Sequence, residues 1–280
     1  MTDSALRAAL TAPLIEALHG AAEETAALLR PDADMTAPIP GAEWNVGEAA
    51  AHLALANAFM AALAQGEVHS YGDGTPGGLA AANEESLKAY PERDPVVLAD
   101  EITRHTRAFT DAAEQRAPGD PVVTPMGPMD MRTFGSYLLT HIMGHGYDIA
   151  AALGRPHMID GKRVELTLPF FANAMPRVVN PSAAEHNARY RMQLRGGTGF
   201  TVTFTDGVPD VRLASAGTAT DAETPDTGPV DCTIRCAPVD FFLLALGRRR
   251  VWSVMGRGKV FAWGRKPWLA TGFPDLFVAP

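Results

Sequence analysis

The chain has 280 residues, 46% hydrophobic and 20% charged, which allows a sizeable core and, at roughly 100 to 200 residues per domain, two domains. Its net charge of -8 and pI near 5.5 argue against a nucleic-acid partner, which would normally need a basic face. No apolar run approaches the roughly 18 to 20 residues that span a bilayer, and the first residues lack the pattern of a signal peptide. These features predict a soluble cytoplasmic protein.

The first half of the chain shows helical periodicity. Helices are predicted over residues 4–29, 45–65, 79–90, 95–117 and 133–153, with a glycine-rich loop over 66–78 and a short hairpin within 118–131. The clearest helix start is Asn45, because Glu48 three positions later completes a capping-box pattern. The clearest stop is Gly154, with Pro156 soon after it. We place a domain boundary here, so residues 1–155 form an N-terminal helical domain.

The second half mixes strands and helices. Strands are predicted over residues 190–195, 200–205, 232–236 and 251–263, helices over 162–179 and 238–246, and a helix or a strand over 268–277. Asp206 and Gly207 form a dipeptide that is typical of a tight hairpin turn. The expected fold class is therefore an all-α domain followed by a smaller α+β domain over residues 156–280.

Three histidines are spaced so that one metal ion could bind them all. His141 and His145 are four residues apart in a predicted helix, which puts them on one face about one turn apart. His52, from another predicted helix, would complete three protein ligands and leave a position open for water or substrate, as in catalytic sites. His52 alone would be interpreted as an ordinary helix histidine, but the combination predicts a metal-dependent enzyme.

The residues around these histidines resemble a known family. The segments that carry the resemblance are Trp44-Asn45-Val46-x-Glu48-x3-His52-Leu53 and His145-x2-Asp148-Ile149-Ala150-x2-Leu153-Gly154-Arg155-Pro156. They are similar to the mycothiol-dependent maleylpyruvate isomerase family, which belongs to the wider DinB-like metalloenzymes. The resemblance implies a four-helix bundle that holds a divalent metal, with His52 and His145 at the positions of the first and last histidine ligands.

His141 falls at the middle ligand position of the family. The isomerase branch commonly has a glutamate there, while many DinB-like proteins have a histidine. Three neutral imidazoles suit zinc, which we expect first, and also nickel, iron or copper. A histidine in place of a carboxylate raises the charge of the site by one unit, which should strengthen its attraction for a thiolate. The substrate of the isomerase branch is therefore not carried over.

The resemblance implies an isomerase or S-transferase that uses a low-molecular-weight thiol, mycothiol, as cosubstrate. A metal lowers the pKa of a bound thiol much as it does that of water, and the thiolate then attacks a small electrophile. The expected partners are this thiol and that electrophile, and the protein is expected to be a monomer or a homodimer. Neither cysteine lies near the histidine motifs, so no protein thiol is required.

Two acidic residues are candidates for supporting the metal ligands. Asp148 follows His145 by three positions and could orient a ligand imidazole, although an ordinary surface or inter-helix hydrogen bond would explain it equally well. Glu48 is the weaker candidate, because its place in the capping-box pattern already accounts for it.

The second half resembles sterol-carrier-protein-2-like domains, on the patterns of residues 200–207, 238–248 and 256–264. In the isomerase, the C-terminal domain is thought to contribute an arginine to the active site. The resemblance therefore implies Arg257 or Arg265 as a catalytic candidate, since a guanidinium can clamp a carboxylate. The run Arg248–Arg250 is interpreted as a solvated turn.

Two other functions stay open on the sequence alone. The second domain could carry a lipid or another small apolar ligand, with the metal bundle as a regulatory or structural module. The bundle could instead be a DinB-like metallohydrolase.

Overall fold

The computed structural model describes residues 8–69, 71–72, 76–214 and 228–278. The chain divides into two compact units, Met1–Ile159 and Asp160–Pro280. This division lies four residues after the boundary that the sequence analysis places at residue 155. Two parts of the predicted pattern, helix residues 4–7 and loop residues 70 and 73–75, fall outside the described residues.

The N-terminal unit is a four-helix bundle with one additional helix and a small hairpin. Its elements are α1 (Ala12–Ala26), α2 (Val46–Ala64), α3 (Pro76–Ala89), α4 (Pro95–Glu114), β1 (Pro121–Thr124), β2 (Gly127–Asp130) and α5 (Met131–Ala152). Helices α1 and α2 each pack against both α4 and α5, so α1 and α2 lie at opposite corners of the bundle. Helix α3 packs against α2. The helical domain expected from the sequence is confirmed.

The bundle core follows from the helical spacing of apolar residues. Leu14, Leu18 and Ala21 recur every three or four positions on α1 and are buried, as this period requires for one face of a helix. Between α4 and α5, the rings of Phe109 and Phe134 meet edge to face with centroids 5.1 Å apart, a favoured aromatic geometry. The core thereby holds α5 in a fixed register against its neighbours.

Helix α2 corrects one expectation from the sequence. Its 19 residues reach the length and mean hydropathy of a membrane span, whereas no such run was expected. The same composition is also what a helix buried in a bundle needs, because such a helix is apolar on most sides. In this structure 67% of the most apolar 18-residue stretch of α2 is buried inside the protein. The position of the helix in the core accounts for its composition.

The C-terminal unit is a mixed five-stranded sheet with helices. Its elements are α6 (Gly161–Ala174), β3 (Ala188–Leu194), β4 (Gly199–Thr205), β5 (Val208–Leu213), β6 (Cys232–Cys236), α7 (Pro238–Ala245), α8 (Val251–Met255) and β7 (Val260–Trp263), with short 3-10 turns at Met175–Arg177, Pro181–Ala183, Pro267–Ala270 and Pro274–Leu276. The strand order is β5-β4-β3-β6-β7. Strands β3 and β6 are parallel, and the other neighbouring pairs are antiparallel.

The sheet buries one face beneath α6 and α7. Tyr190, Met192 and Leu194 alternate along β3 and are buried, as a period of two requires. Phe241 of α7 contacts both Phe171 of α6 and Phe200 of β4, with centroids 5.4 and 5.6 Å apart. This layered arrangement of helices on a sheet confirms the α+β expectation.

The turn between β4 and β5 is the one that the sequence predicts. Asp206 and Gly207 have φ angles of 48° and 79°, and Thr205 pairs with Val208 across them. Positive φ at both central residues defines a tight turn whose twist matches that of the strands, and Asp-Gly is favoured there.

The region 251–263 holds the expected strand as β7, and it also contains a short helix, α8. Gly256 and the turn at Gly258, with φ of 63°, separate the two. Two other predicted elements of this unit need correction. The helix expected to reach residue 179 ends at Ala174, since Pro176 has no N–H to continue the hydrogen-bond ladder. The segment over 268–277 forms two 3-10 turns, each beginning at a proline.

Candidate metal centre

A capping box fixes where α2 begins. The side chain of Asn45 accepts the N–H of Glu48 at 2.9 Å, and the Glu48 carboxylate accepts the N–H of Asn45 at 2.9 Å. These bonds satisfy two donors at the helix start that would otherwise be unpaired. They give Glu48 the capping role, and they place His52 about two turns into the helix.

Helix α5 supplies the other two histidines. The side chain of Asp130 caps its start by accepting the N–H of Thr133 at 2.7 Å. Further along, a Cβ atom at Gly146 would lie 2.6 Å from the Thr25 hydroxyl of α1. Glycine therefore lets α1 approach α5 closely beside the histidine pair.

The bundle brings His52, His141 and His145 together. One ring nitrogen from each lies within 4.8 Å of the others, and the Nε2 atoms of His52 and His141 are 3.1 Å apart. His52 is buried, and the other two are half-buried. Among the described residues these three form a group of side chains that could hold a metal ion.

The donor set fits a divalent ion of the zinc type. Zn–N bonds of about 2.0 to 2.1 Å in a tetrahedral site put two ligand nitrogens roughly 3.3 Å apart. The 3.1 Å separation of His52 and His141 Nε2 is close to this value. Burial lowers the pKa of His52 to about 4, so its ring is neutral at pH 7 and has a lone pair to offer. A hydrogen bond between two neutral rings also fits that distance, so metal analysis must distinguish the two.

Two residues adjoin the histidines on the side of the α2 N-terminus. The Trp44 ring lies 4.8 Å from that of His52 and 6.0 Å from that of His145, centroid to centroid. A carboxylate oxygen of Asp148 lies 3.6 Å from His145 Nδ1. The Asp148 carboxylate therefore lies beside the imidazole, at a separation somewhat longer than a hydrogen bond.

Tyr137 is a neighbour that the sequence analysis missed. Its ring lies edge-on to that of His141, with centroids 6.3 Å apart. Burial, and secondarily the nearby Tyr71, raise the pKa of the Tyr137 phenol, so the hydroxyl stays protonated at neutral pH. The available signal was position, because Tyr137 precedes His141 by four residues and therefore shares its helix face.

The two candidate arginines belong to the C-terminal unit. Arg257 is exposed after α8, and its guanidinium lies 3.9 Å from the carboxylate of buried Asp240. Arg265 is exposed in the turn after β7.

The C-terminal unit contains a largely apolar cavity of about 440 Å³. Its apolar lining includes Phe170, Met175, Met192, Ile234, Phe241 and Phe273. Arg249, Arg250 and Trp252 also line it. Sequence reasoning could not locate this cavity, because its walls come from separate elements whose inward faces look like ordinary core.

The fold and the histidine site together define a two-domain protein with a candidate metal centre in a helical bundle. Residues 15–150 match the family model of the mycothiol maleylpyruvate isomerase N-terminal domain. The N-terminal unit is therefore similar to this domain family, as its histidine motifs predicted. No curated protein matches the chain by sequence.

Solved structures give the same assignment at the level of the fold. A mycothiol-dependent maleylpyruvate isomerase with a histidine-to-alanine substitution is similar over 89% of this chain and 91% of its own, with 12% identity and a TM-score of 0.53. Another structure described as this isomerase covers 84% of this chain and 88% of its own, at 13% identity and a TM-score of 0.49. Sterol carrier protein 2 from Yarrowia lipolytica covers 38% of this chain and 90% of its own, at 17% identity and a TM-score of 0.25. The first of these similarities, with its TM-score of 0.53, shows a shared fold.

Proposed function

We propose that the protein is a metal-dependent enzyme that uses a low-molecular-weight thiol, mycothiol in the first instance, to isomerise or conjugate a small electrophile. The observation that carries the proposal is the group formed by His52, His141 and His145, in a domain whose family is named for mycothiol chemistry. Three histidine ligands leave a position for a further ligand, as catalytic sites do.

The side chains around the site have separate roles in this proposal. The three imidazoles would hold the ion, zinc first and nickel, iron or copper as alternatives, and Asp148 would fix the orientation of His145. The ion would favour the thiolate form of the cosubstrate at neutral pH. Trp44 would form an apolar wall, and Tyr137 would keep its ring edge-on to that of His141.

The sulfur nucleophile would come from the cosubstrate rather than from the protein. Both cysteines of the chain, Cys232 and Cys236, are free and buried in the C-terminal unit. Burial raises the pKa of Cys232 and raises that of Cys236 to about 12, so both are thiols at pH 7. Because the thiolate is the reactive form, neither is prepared for nucleophilic catalysis.

Arg257 and Arg265 stay candidates for binding a substrate carboxylate. A guanidinium can bind a carboxylate through two parallel hydrogen bonds, whereas an ammonium cannot. We expect Lys at the functional position to raise the KM for a carboxylate substrate and Lys at the other position to leave it unchanged. If the KM changes in neither variant, neither arginine binds the substrate carboxylate.

Metal content tests the proposal first. Elemental analysis of the purified protein should give close to one zinc, nickel, iron or copper per chain, and His145→Ala should lose it. His69→Ala is the matched control, because His69 is an exposed histidine of the same unit. Less than about half a metal per chain in the parent protein would overturn the proposed site, as would retention of metal in His145→Ala.

The second test of the proposed enzyme follows the fate of the thiol. The metal-loaded protein is incubated with mycothiol and a panel of electrophiles that includes maleylpyruvate, while free thiol and electrophile are both followed. An isomerase regenerates the thiol, and a transferase consumes it in step with the electrophile. Turnover without any thiol would instead support the hydrolase alternative, and unchanged turnover in metal-free His145→Ala would overturn the metal-assisted mechanism.

The cavity favours a second candidate function, which is carriage of a small apolar ligand by the C-terminal unit. Its volume of about 440 Å³ falls within the roughly 300 to 1,000 Å³ of ligand pockets. Native mass spectrometry and solvent extraction would reveal a co-purified ligand. A fluorescent fatty acid should bind the parent protein, and Ile234→Trp, which fills the cavity, should abolish binding. Equal binding of the fatty acid by the parent and the variant would show that the ligand does not occupy this cavity.

A further inference from the structure

The C-terminal unit carries cations and aromatic rings on one stretch of chain. Residues 241–274 contain seven Lys or Arg residues and no Asp or Glu, in a chain with a net charge of -8. The part over residues 248–268, here called the basic aromatic segment, comprises α8, β7 and the 3-10 turn at Pro267–Ala270. Both α8 and this turn contact β7, so the segment is one continuous part of the unit.

Its aromatic rings are open to solvent. Trp252, Trp263 and Trp268 are 70%, 45% and 66% exposed, and Phe261 is 54% exposed. The chain has four tryptophans, and the remaining one, Trp44, packs against the histidines. Phe261 and Trp263 are two apart on an edge strand, so they project from the same face of the sheet. That face is opposite the one of Val260, which lines the cavity beside Trp252, so the exposed rings flank the outer edge of the sheet on both faces. Large exposed apolar side chains along one edge indicate an interaction surface.

Among the described residues, two cations of the segment have no carboxylate partner. Arg249 and Arg257 share the carboxylate of Asp240, and Lys266 pairs with another aspartate. Arg250 and Lys259 are exposed, and among the described residues no carboxylate forms an ion pair with either side chain. Both are free to bind an external anion.

The segment also borders the apolar cavity. Arg250 and Trp252 line the cavity and are exposed to solvent, so the surface bearing them is continuous with the cavity wall. An apolar molecule entering or leaving beside these residues would meet rings and cations, and Asp275 is the acidic residue that lines the same cavity. This combination of an apolar cavity with neighbouring rings and cations suits contact with a partner surface in which apolar chains lie beneath anionic groups.

We propose that the basic aromatic segment docks the protein onto an anionic membrane surface. Tryptophan is the side chain that concentrates at membrane–water interfaces, and arginine and lysine are attracted to anionic headgroups. Trp252, Trp263, Trp268 and Phe261 enter the headgroup region, while Arg250 and Lys259 bind lipid phosphates. The adjoining apolar cavity favours a bilayer over a nucleic acid, whose bases would need rings for stacking but no apolar cavity.

The test is sedimentation of the full-length protein with vesicles. Vesicles of phosphatidylglycerol and phosphatidylcholine at 30:70 should bind the protein, and vesicles of phosphatidylcholine alone should not. Binding should weaken as salt is raised, because the attraction is screened. Tryptophan emission should shift to the blue on binding, and the shift should be smaller in Trp268→Ala, a position outside the cavity lining.

Charge-neutral variants identify the surface. The double variant Arg250→Gln, Lys259→Gln should lower the partition coefficient about 25-fold, at about fivefold for each cation. Its matched control is Arg30→Gln, Lys88→Gln, which removes two exposed cations from the N-terminal unit and should bind as the parent does. Circular dichroism should show that the parent protein, Trp268→Ala and the two double variants are all folded.

Three outcomes would overturn the proposal. These are equal binding to both kinds of vesicle, equal loss in the control variant, and no binding by the parent protein. Light scattering after gel filtration is run in parallel. If Arg250→Gln, Lys259→Gln breaks a dimer and leaves vesicle binding intact, the surface is a contact between copies of the chain instead.

Discussion

At the scale of single residues, His141 determines the charge of the candidate metal centre. An imidazole adds no charge, whereas a glutamate at this place would remove one positive unit from the site. We predict that His141→Glu retains the metal but raises the pKa of the bound thiol. The pH profile of thiol-dependent turnover should therefore move to higher pH.

His69→Glu makes the same charge change at an exposed position of the unit and should leave the profile in place. At 0.1 M salt, interactions between exposed charges are screened over about 10 Å. We therefore expect no shift of the pH profile in His69→Glu. A variant with full metal and an unmoved profile would contradict a thiol bound at this centre.

Asp231 is a second residue whose charge has a measurable consequence. Its carboxylate accepts the N–H of Arg189 at 3.1 Å and pairs with Lys266 at 3.2 Å. The hydrogen bond first, and the lysine next, lower the pKa of this carboxyl. Its stabilising contribution is thus complete above the unfolded pKa of about 3.9 and is lost as pH falls through the folded value.

We predict that Asp231→Asn lowers the free energy of unfolding by about 1 kcal/mol at pH 7, the size expected for a partly exposed charged hydrogen bond. The difference from the parent should vanish at pH values below the folded pKa. Urea unfolding at pH 7 and at a series of pH values falling below 3 measures both. Glu185→Gln, at an exposed carboxylate, serves as control, and a deficit that persists unchanged in acid would contradict the assignment.

At the scale of elements, the start of α2 depends on one side chain. We predict that Asn45→Ala lowers the free energy of unfolding by about 1 kcal/mol, the usual cost of losing an N-cap. Amide exchange should quicken in the first turn of α2. Asp160→Ala removes the corresponding cap from α6, where the Asp160 side chain accepts the N–H of Arg163 at 2.9 Å. Exchange should then quicken in α6 and not in α2.

Glu48→Gln separates the capping role from a role in binding metal. Glutamine can still accept the N–H of Asn45, so the variant should retain metal and most of the stability. Loss of metal in this variant would return Glu48 to the candidate ligands, although its carboxylate is engaged at the helix start in this structure.

Elements that are determined locally could be predicted from the sequence. The capping box at Asn45, the turn at Asp206 and Gly207, and the four-residue spacing of His141 and His145 each specify their structure within a few positions. The extent of the strand expected within 251–263 could not be predicted, because β propensity depends on burial and neighbours, and only residues 260–263 pair with another strand.

The parts of the site that come from across the bundle were harder to predict. His52 was grouped with the other two histidines because it lies in another predicted helix of the same half, and the family motif then placed it at a ligand position; its own spacing gave no signal. The cavity gave no separate signal. The spacing of Tyr137 from His141 was a weak signal, because a buried aromatic at helical spacing is normally core. Contacts between distant segments decide such positions, and one sequence does not contain them explicitly.

At the scale of the whole molecule, the two units differ in charge. Residues 1–159 contain 21 Asp or Glu against 9 Lys or Arg, while residues 160–280 contain 11 against 15. The candidate ligands of a cation therefore lie in the acidic unit, and the basic aromatic segment lies in the basic one. Sequence composition alone shows this division of charge, but the structure is needed to place particular cations at the surface.

Removal of the metal should consequently affect one unit first. A ligand that binds only the folded state stabilises it by about 2.7 kcal/mol at 100 times its dissociation constant. We predict that chelation speeds amide exchange in α2 and α5, which supply His52, His141 and His145, and leaves β3, β4 and β6 nearly unchanged. Exchange measured by mass spectrometry before chelation, after chelation and after zinc is restored gives this comparison, with His145→Ala as the metal-free reference. Equal loss of protection in the sheet would contradict a stabilising site confined to the bundle.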